Sequence, residues 1–277
     1  MVLPPFRYEM IRRYFKDKII CSMREEKVTM EMTNRWRGRV VYCKGMAWFI
    51  LAVFLSLPAV AGARDVQAWF KKGSKYRSTG DYDKAIECYT WIIEIEPEND
   101  DAYYNRGIVY KDAGLFEEAV ADLTVSIDLY PDFATAYVCR GDALKSLGRF
   151  DEAVKDFTSA IDLDPVYVRA YIERGRVHLL TGDSGEALRD VDAALDIDPG
   201  SAEALEFRAT IYRGMGRLDD ALADANTSIE LVPRAGTYHT RGLIYRDLGE
   251  EERARADFTY ACGMGMSEAC DALTEGD

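Results

Sequence analysis

Histidine is nearly absent from this chain, with two in 277 residues. There is no Cys-x-x-Cys pair, no HExxH element and no phosphate-cradling glycine loop. These gaps exclude the commoner metal, redox and nucleotide chemistries and imply no cofactor. Long apolar runs are missing too. The uncharged stretch Met46–Leu57 has twelve residues, whereas a spanning helix needs about 20. Proline is sparse, at eight, but five of the eight recur every 34 residues: Pro97, Pro131, Pro165, Pro199 and Pro233.

Charge is divided unevenly. Residues 1–64 hold 12 Lys and Arg against 5 Asp and Glu, a net of +7. The whole chain has 35 against 48, so 23 basic and 43 acidic residues remain in 65–277, a net of −20. A region that acidic repels a phosphate backbone, which argues against a nucleic-acid partner.

The stretch Ala134–Tyr167 shows the unit from which the rest is built. Apolar Tyr137, Leu144, Phe157 and Ile161 recur at helical spacing around small Gly141, Ala153 and Ala160. Gly148 divides the stretch and Pro165 ends it, so it reads as two short antiparallel helices. One such hairpin cannot bury its apolar face alone, and five further copies follow the same columns. The small column is Gly73, Gly107, Gly141, Gly175, Ala209, Gly242; an alanine column runs from Ala85 through Ala153 to Ala254. Gly80, Gly114, Gly148, Gly182, Gly216 and Gly249 mark the internal turns, and the sixth copy arrives one residue early.

A charged pattern runs beside the small one. Arg106, Arg140, Arg174, Arg208 and Arg241 are each followed sixteen residues later by Asp122, Asp156, Asp190, Asp224 and Asp257. The first copy lacks both members, having Lys72 and Cys88. Two positions that change together predict contact: Arg106–Asp122, Arg140–Asp156, Arg174–Asp190, Arg208–Asp224 and Arg241–Asp257 as ion pairs at the hairpin seam. His178 stands where neighbouring copies have Tyr110, Leu144 and Tyr212, and reads as a packed substitute for an apolar or aromatic side chain. The carboxylates Glu94, Asp128, Asp162, Asp196 and Glu230 recur once per copy, the mark of a solvated helix face and not of an acid–base pair.

This 34-residue pattern over 66–261 resembles the tetratricopeptide repeat (TPR) family. The resemblance implies an all-α fold, a right-handed α-solenoid of six helix-turn-helix units with a concave peptide-binding groove. The units are 66–99, 100–133, 134–167, 168–201, 202–234 and 235–261, with 262–277 as a capping helix and tail. By the family pattern Phe70, Arg77, Tyr104, Lys111, Val138 and Lys145 face the groove, followed by Ile172, Arg176, Arg213, His239 and Arg246. Five of these form a basic column, Arg77, Lys111, Lys145, Arg213 and Arg246, with Leu179 as the exception. The expectation is a basic stripe that attracts acidic groups, with Tyr104, Val138 and Ile172 giving apolar contact. The Lys/Asn carboxylate clamp of chaperone-cofactor TPR domains is matched only at Asn105, so a terminal-carboxylate ligand is not implied.

Upstream, residues 1–45 lack periodicity and read as a non-native or disordered extension. Arg35, Arg37, Arg39 and Lys44 precede the apolar Met46–Leu57, then come Pro58 and Ala61-Gly62-Ala63. Basic flank, short apolar core and small-x-small exit describe a signal peptide over 46–63, with an uncleaved signal-anchor as the alternative. At the other end, Cys262 and Cys270 are eight residues apart, about 12 Å on a continuous helix and too far to bridge. Gly263 and Gly265 interrupt that helix and Ser267 can start another, which brings the cysteines within bridging reach; their spacing is also similar to that of Sel1-like repeat proteins. Export favours a Cys262–Cys270 disulfide with Cys88 and Cys139 free and buried; a cytoplasmic location leaves all of them thiols. The expected function is a non-catalytic, exported scaffold that binds a protein or peptide. The alternatives are a Sel1-like enzyme or β-lactam-binding protein, and a cytoplasmic or membrane-tethered oligomerisation module.

Overall fold

The computed structural model describes residues 66–274. The extension 1–45 and the signal segment 46–63 lie outside the described residues. Within them the chain is helical throughout, thirteen helices in sequence and no strand. Helix α1 covers residues 66–78. It is followed by α2 (Tyr82–Ile95), α3 (Asp100–Asp112), α4 (Phe116–Leu129), α5 (Ala134–Ser146) and α6 (Phe150–Leu163). Then come α7 (Val168–Leu180), α8 (Ser184–Ile197), α9 (Ala202–Gly214) and α10 (Leu218–Leu231). The last three are α11 (Ala235–Asp247), α12 (Glu251–Gly263) and the short α13 (Ser267–Thr274). None is long and apolar enough to cross a membrane.

Each odd-numbered helix from α1 to α11 pairs with its successor across a tight turn. Gly148, at φ 73°, shows why that turn needs glycine: the left-handed conformation is strained for any residue with a Cβ. Four of the six second helices begin with paired acids, such as Glu117–Glu118 or Asp151–Glu152, and the other two with one, Asp83 or Glu186, set against the positive end of the helix dipole.

The seam inside each pair is closed by the small column. A Cβ on Gly141 would lie 2.7 Å from the ring of Phe157, and one on Gly107 would lie 2.8 Å from Leu123. The fifth pair solves the same geometry differently: Ala209 replaces glycine and the residue sixteen further on is Ala225, both fully buried. Small against large in most pairs and small against small in one keeps the seam filled. The alanine column from Ala85 to Ala254 is buried throughout.

Successive first helices α3, α5, α7, α9 and α11 touch one another, while the second helices stand further apart. The array therefore curves with the first helices inside. Between the fifth and sixth pairs the link is three residues, 232–234, where the others have four. There Thr237 occupies a place that holds alanine in the preceding copies, and it is fully buried. Its hydroxyl donates to Glu206 Oε2 at 2.7 Å and lies 3.4 Å from Ser228 Oγ, which donates to the Ala202 carbonyl at 2.8 Å.

At the C-terminus α12 runs to Gly263, two residues past the expected unit end, because the left-handed turn falls at Gly265 (φ 93°). Cys262 and Cys270 are joined across that turn, their Cα atoms 4.8 Å apart. Cys88 and Cys139 are unpaired and buried.

Candidate binding groove

The inner face is lined by the first helices, and the basic column lies on it, but not as free charge. Arg77 Nε donates to Asp112 at 2.6 Å, and Lys111 Nζ to Asp142 at 3.3 Å. Lys145 pairs with Glu173, Arg176 Nη2 donates to Glu203 at 2.9 Å, and Arg213 Nε to Asp247 at 2.6 Å. Every acceptor belongs to the next copy along, so these pairs form a ladder that ties copy to copy. Asp142 is its most crowded rung, taking Arg169 Nη2 at 2.6 Å as well. The expected basic stripe is thus largely neutralised in place. Only at the end does it open: no carboxylate among the described residues pairs with Arg246, whose guanidinium lies over Phe258 at 5.7 Å.

The apolar groove residues fall into two groups. Phe70 and Tyr104 remain half-buried, Phe70 against Tyr89 and Tyr104 against Phe133, with the Tyr104 hydroxyl 3.8 Å from Cys139 Sγ. Val138 and Ile172 are 0% and 2% exposed and offer a ligand no surface. Their expected groove contact is corrected accordingly: they pack in the core clusters beneath the inner face, where neighbouring first helices approach. Glu206 and His239 occupy the equivalent places in the last two copies and are partly exposed. Burial lowers the His239 imidazole below its usual range; Glu268 on α13 and Glu206 oppose that, while Arg213 and Arg246 reinforce it.

At the centre of the inner face the basic column, though not the ladder, is interrupted. Leu179 and Leu180 take the places held elsewhere by a basic residue and a small or acidic one. With Phe207, Thr210, Glu206, Lys145 and Arg176 they line a cavity of about 390 Å³ spanning three copies. Among the described residues no group of three or more His, Cys, Asp or Glu could hold a metal.

Comparison with known proteins gives the same unit. Tetratricopeptide-repeat family models match residues 73–114, 100–133, 140–202 and 235–264. The chain is built of tetratricopeptide repeats. The crystal structure of MamA is similar at 29% identity and TM-score 0.53, over 57% of this chain and 93% of MamA. PilW, described as a widely conserved type IV pilus biogenesis factor, is similar at 20% identity and TM-score 0.66, over 76% of this chain and 98% of PilW. A tetratricopeptide repeat protein of Parabacteroides merdae has 21% identity and TM-score 0.54, over 76% of this chain and 98% of its own. No curated protein matches the sequence.

The TPR hairpins are held by the arginine–aspartate column. Arg106 Nε and Nη2 donate to both oxygens of Asp122 at 2.6 and 2.8 Å; Arg174 does the same to Asp190 at 3.0 and 2.7 Å. Arg208–Asp224 and Arg241–Asp257 are likewise two-pronged. Hydrogen bonding to the carboxylate raises each guanidinium further above its already high value. Sequence reasoning missed the third partner. The remaining nitrogen, Nη1, donates back to the preceding TPR unit: Arg106 to Thr90 at 2.9 Å, Arg208 to Asp192 at 2.8 Å and Arg241 to Asn226 at 2.8 Å. A signal was present, because an oxygen acceptor stands sixteen residues before each arginine, or fifteen where the link is short. In the first unit Lys72 has no aspartate and instead lies over the Trp69 ring at 4.3 Å. His178 sits beside the fourth seam, its Nε2 3.9 Å from Asp190.

Proposed function

We propose that this protein is a non-catalytic scaffold that binds an extended segment of a partner protein along the inner face of its TPR array. The observation that carries the reading is the cavity across units three to five. It is open, it combines apolar Leu179, Leu180 and Phe207 with a few polar groups, and three successive hairpins contribute to it. The arrangement offers surface and fixed charge, the means of a binding module.

The export half of the proposal rests on the sequence around Met46–Ala63. The Cys262–Cys270 bridge supports it, since such bridges persist in oxidising compartments. Crosslinking the protein to its neighbours in its native cell envelope, followed by mapping of the crosslinked peptides, tests the binding half. Crosslinks concentrated on α5, α7 and α9 are expected; crosslinks confined to the outer helices would sink the groove reading. N-terminal sequencing of the native protein tests the other half, with Arg64 as the expected first residue. A native chain that retains Met46–Leu57 in the membrane fraction would replace export by anchoring.

A further inference from the structure

We infer that the groove selects a partner segment carrying a bulky apolar side chain next to a lysine or arginine, with the apolar side chain seated at unit four. This deepens the scaffold reading and rests on it. The first support is the break in the repeat itself. In the other five units the two places are Arg77-Ser78, Lys111-Asp112, Lys145-Ser146, Arg213-Gly214 and Arg246-Asp247. Unit four alone has two leucines, and Leu180 is 64% exposed at the cavity edge. Leu180 is left with apolar area to bury, and Phe207, with the Arg176 guanidinium 5.4 Å over its ring, lines the same cavity. A Leu, Phe or Trp side chain of a ligand fits a cavity of this size and removes that area from water.

The second support is the charge left over once the ladder is formed. Two cations line the cavity, but Lys145 is engaged by Glu173 and Arg176 by Glu203. Glu206 is the one carboxylate on the wall, and no cation among the described residues pairs with it. The Thr237 hydroxyl holds it in place from the unit-six side. A charge fixed beside an apolar seat favours a cation on the incoming segment and disfavours an anion. The surplus acidity of residues 65–277 acts in the same direction at longer range. The expected ligand is therefore basic and apolar, where the basic column in the sequence pointed to an acidic one.

The test uses a display library of random dodecapeptides selected against the chain, with selected peptides then measured in solution. Enriched peptides are expected to share a bulky apolar residue adjacent to Lys or Arg. Leu180→Asp should weaken them at least about tenfold, and Leu180→Ser, the residue of units one and three, by less. Glu206→Gln should weaken them several-fold and flatten their salt dependence, while Lys155→Ala, an exposed cation on the outer helix α6, leaves them unchanged. Enriched peptides that are acidic, or that bind Leu180→Asp and Leu180→Ser as well as wild type, overturn this inference and leave the groove reading standing. A library that yields no binder overturns the groove reading and this inference with it.

Discussion

Arg140 grips Asp156 with two hydrogen bonds of 2.7 Å and reaches back with its third nitrogen to Thr124 at 3.1 Å. One side chain on α5 thus fixes α6 of its own hairpin and α4 of the hairpin before it. Asp156 is buried, so deleting it alone leaves the guanidinium partly desolvated and uncompensated. Asp156→Ala should cost about 3–5 kcal/mol, whereas replacing Arg140 and Asp156 together by apolar residues should cost much less. Thr124→Val removes one hydrogen bond to a charged group and should cost about 1.5–3 kcal/mol. Urea unfolding of the single and double variants measures both, and additive effects at Arg140 and Asp156 would refute the coupling.

What the sequence disclosed follows from repetition. A position that must be small, or must be an arginine facing an aspartate, is written five or six times at a fixed offset and stands out. Thr90, Asp192 and Asn226 do the same work with different residue types, so their column hides unless acceptors are grouped as one class. The ladder on the inner face was less legible still. Its five acceptors lie at four different places in the unit, Asp112 and Asp247 sharing one and Asp142, Glu173 and Glu203 each taking another, because flexible side chains reach whichever carboxylate the next helix offers. Val138 and Ile172 show the remaining limit: the repeat pattern tells which way a side chain points, and local packing decides how deep it lies.

Gly141 is expected to reject even a methyl group. Alanine is ordinarily the better helix former, by about 0.5–1 kcal/mol. Here the added Cβ would sit 2.7 Å from Phe157 Cε1 and 2.9 Å from Cζ, and that ring is fully buried. Overpacking of this kind costs about 1–3 kcal/mol, so Gly141→Ala should be destabilising on balance. With Phe157 trimmed to alanine the sign should reverse, as the natural Ala209–Ala225 pairing implies. Thermal unfolding of the four variants of the cycle decides it; a Gly141→Ala protein as stable as wild type would show the seam to be looser than described.

The end of the groove should respond to acid through His239. Burial holds its folded-state value below the usual imidazole value of about 6.5. The unfolded chain therefore takes up this proton first as pH falls. Stability contributed by neutral His239 is fully present above the unfolded value and is lost as pH drops below it toward the folded value. Unfolding midpoints followed from about pH 7.5 to about pH 5.5 should fall, and fall less in His239→Gln. Parallel pH profiles for the two proteins would mean that His239 titrates as it does in the unfolded chain.

The bridge between Cys262 and Cys270 should act locally. Helix α13 has eight residues, and Ala269 is its one buried residue, so on its own it is too short to persist. Its hold on the array comes from that contact and from the bridge across Gly265. Closing so short a loop stabilises by about 2–3 kcal/mol through the unfolded state. The terminal hairpin also has a neighbour on only one side, which leaves it the first to fray. Reduction, or a Cys262→Ser/Cys270→Ser pair, should therefore raise amide exchange over residues 267–274 and the end of α12, with units two to five unaffected. Thiol counting gives the independent check on protein that begins at Arg64. Two reactive thiols under denaturing, non-reducing conditions, mapped to Cys88 and Cys139, are expected. Four would mean that the cysteines at the cap remain reduced, and the oxidising compartment would lose its support.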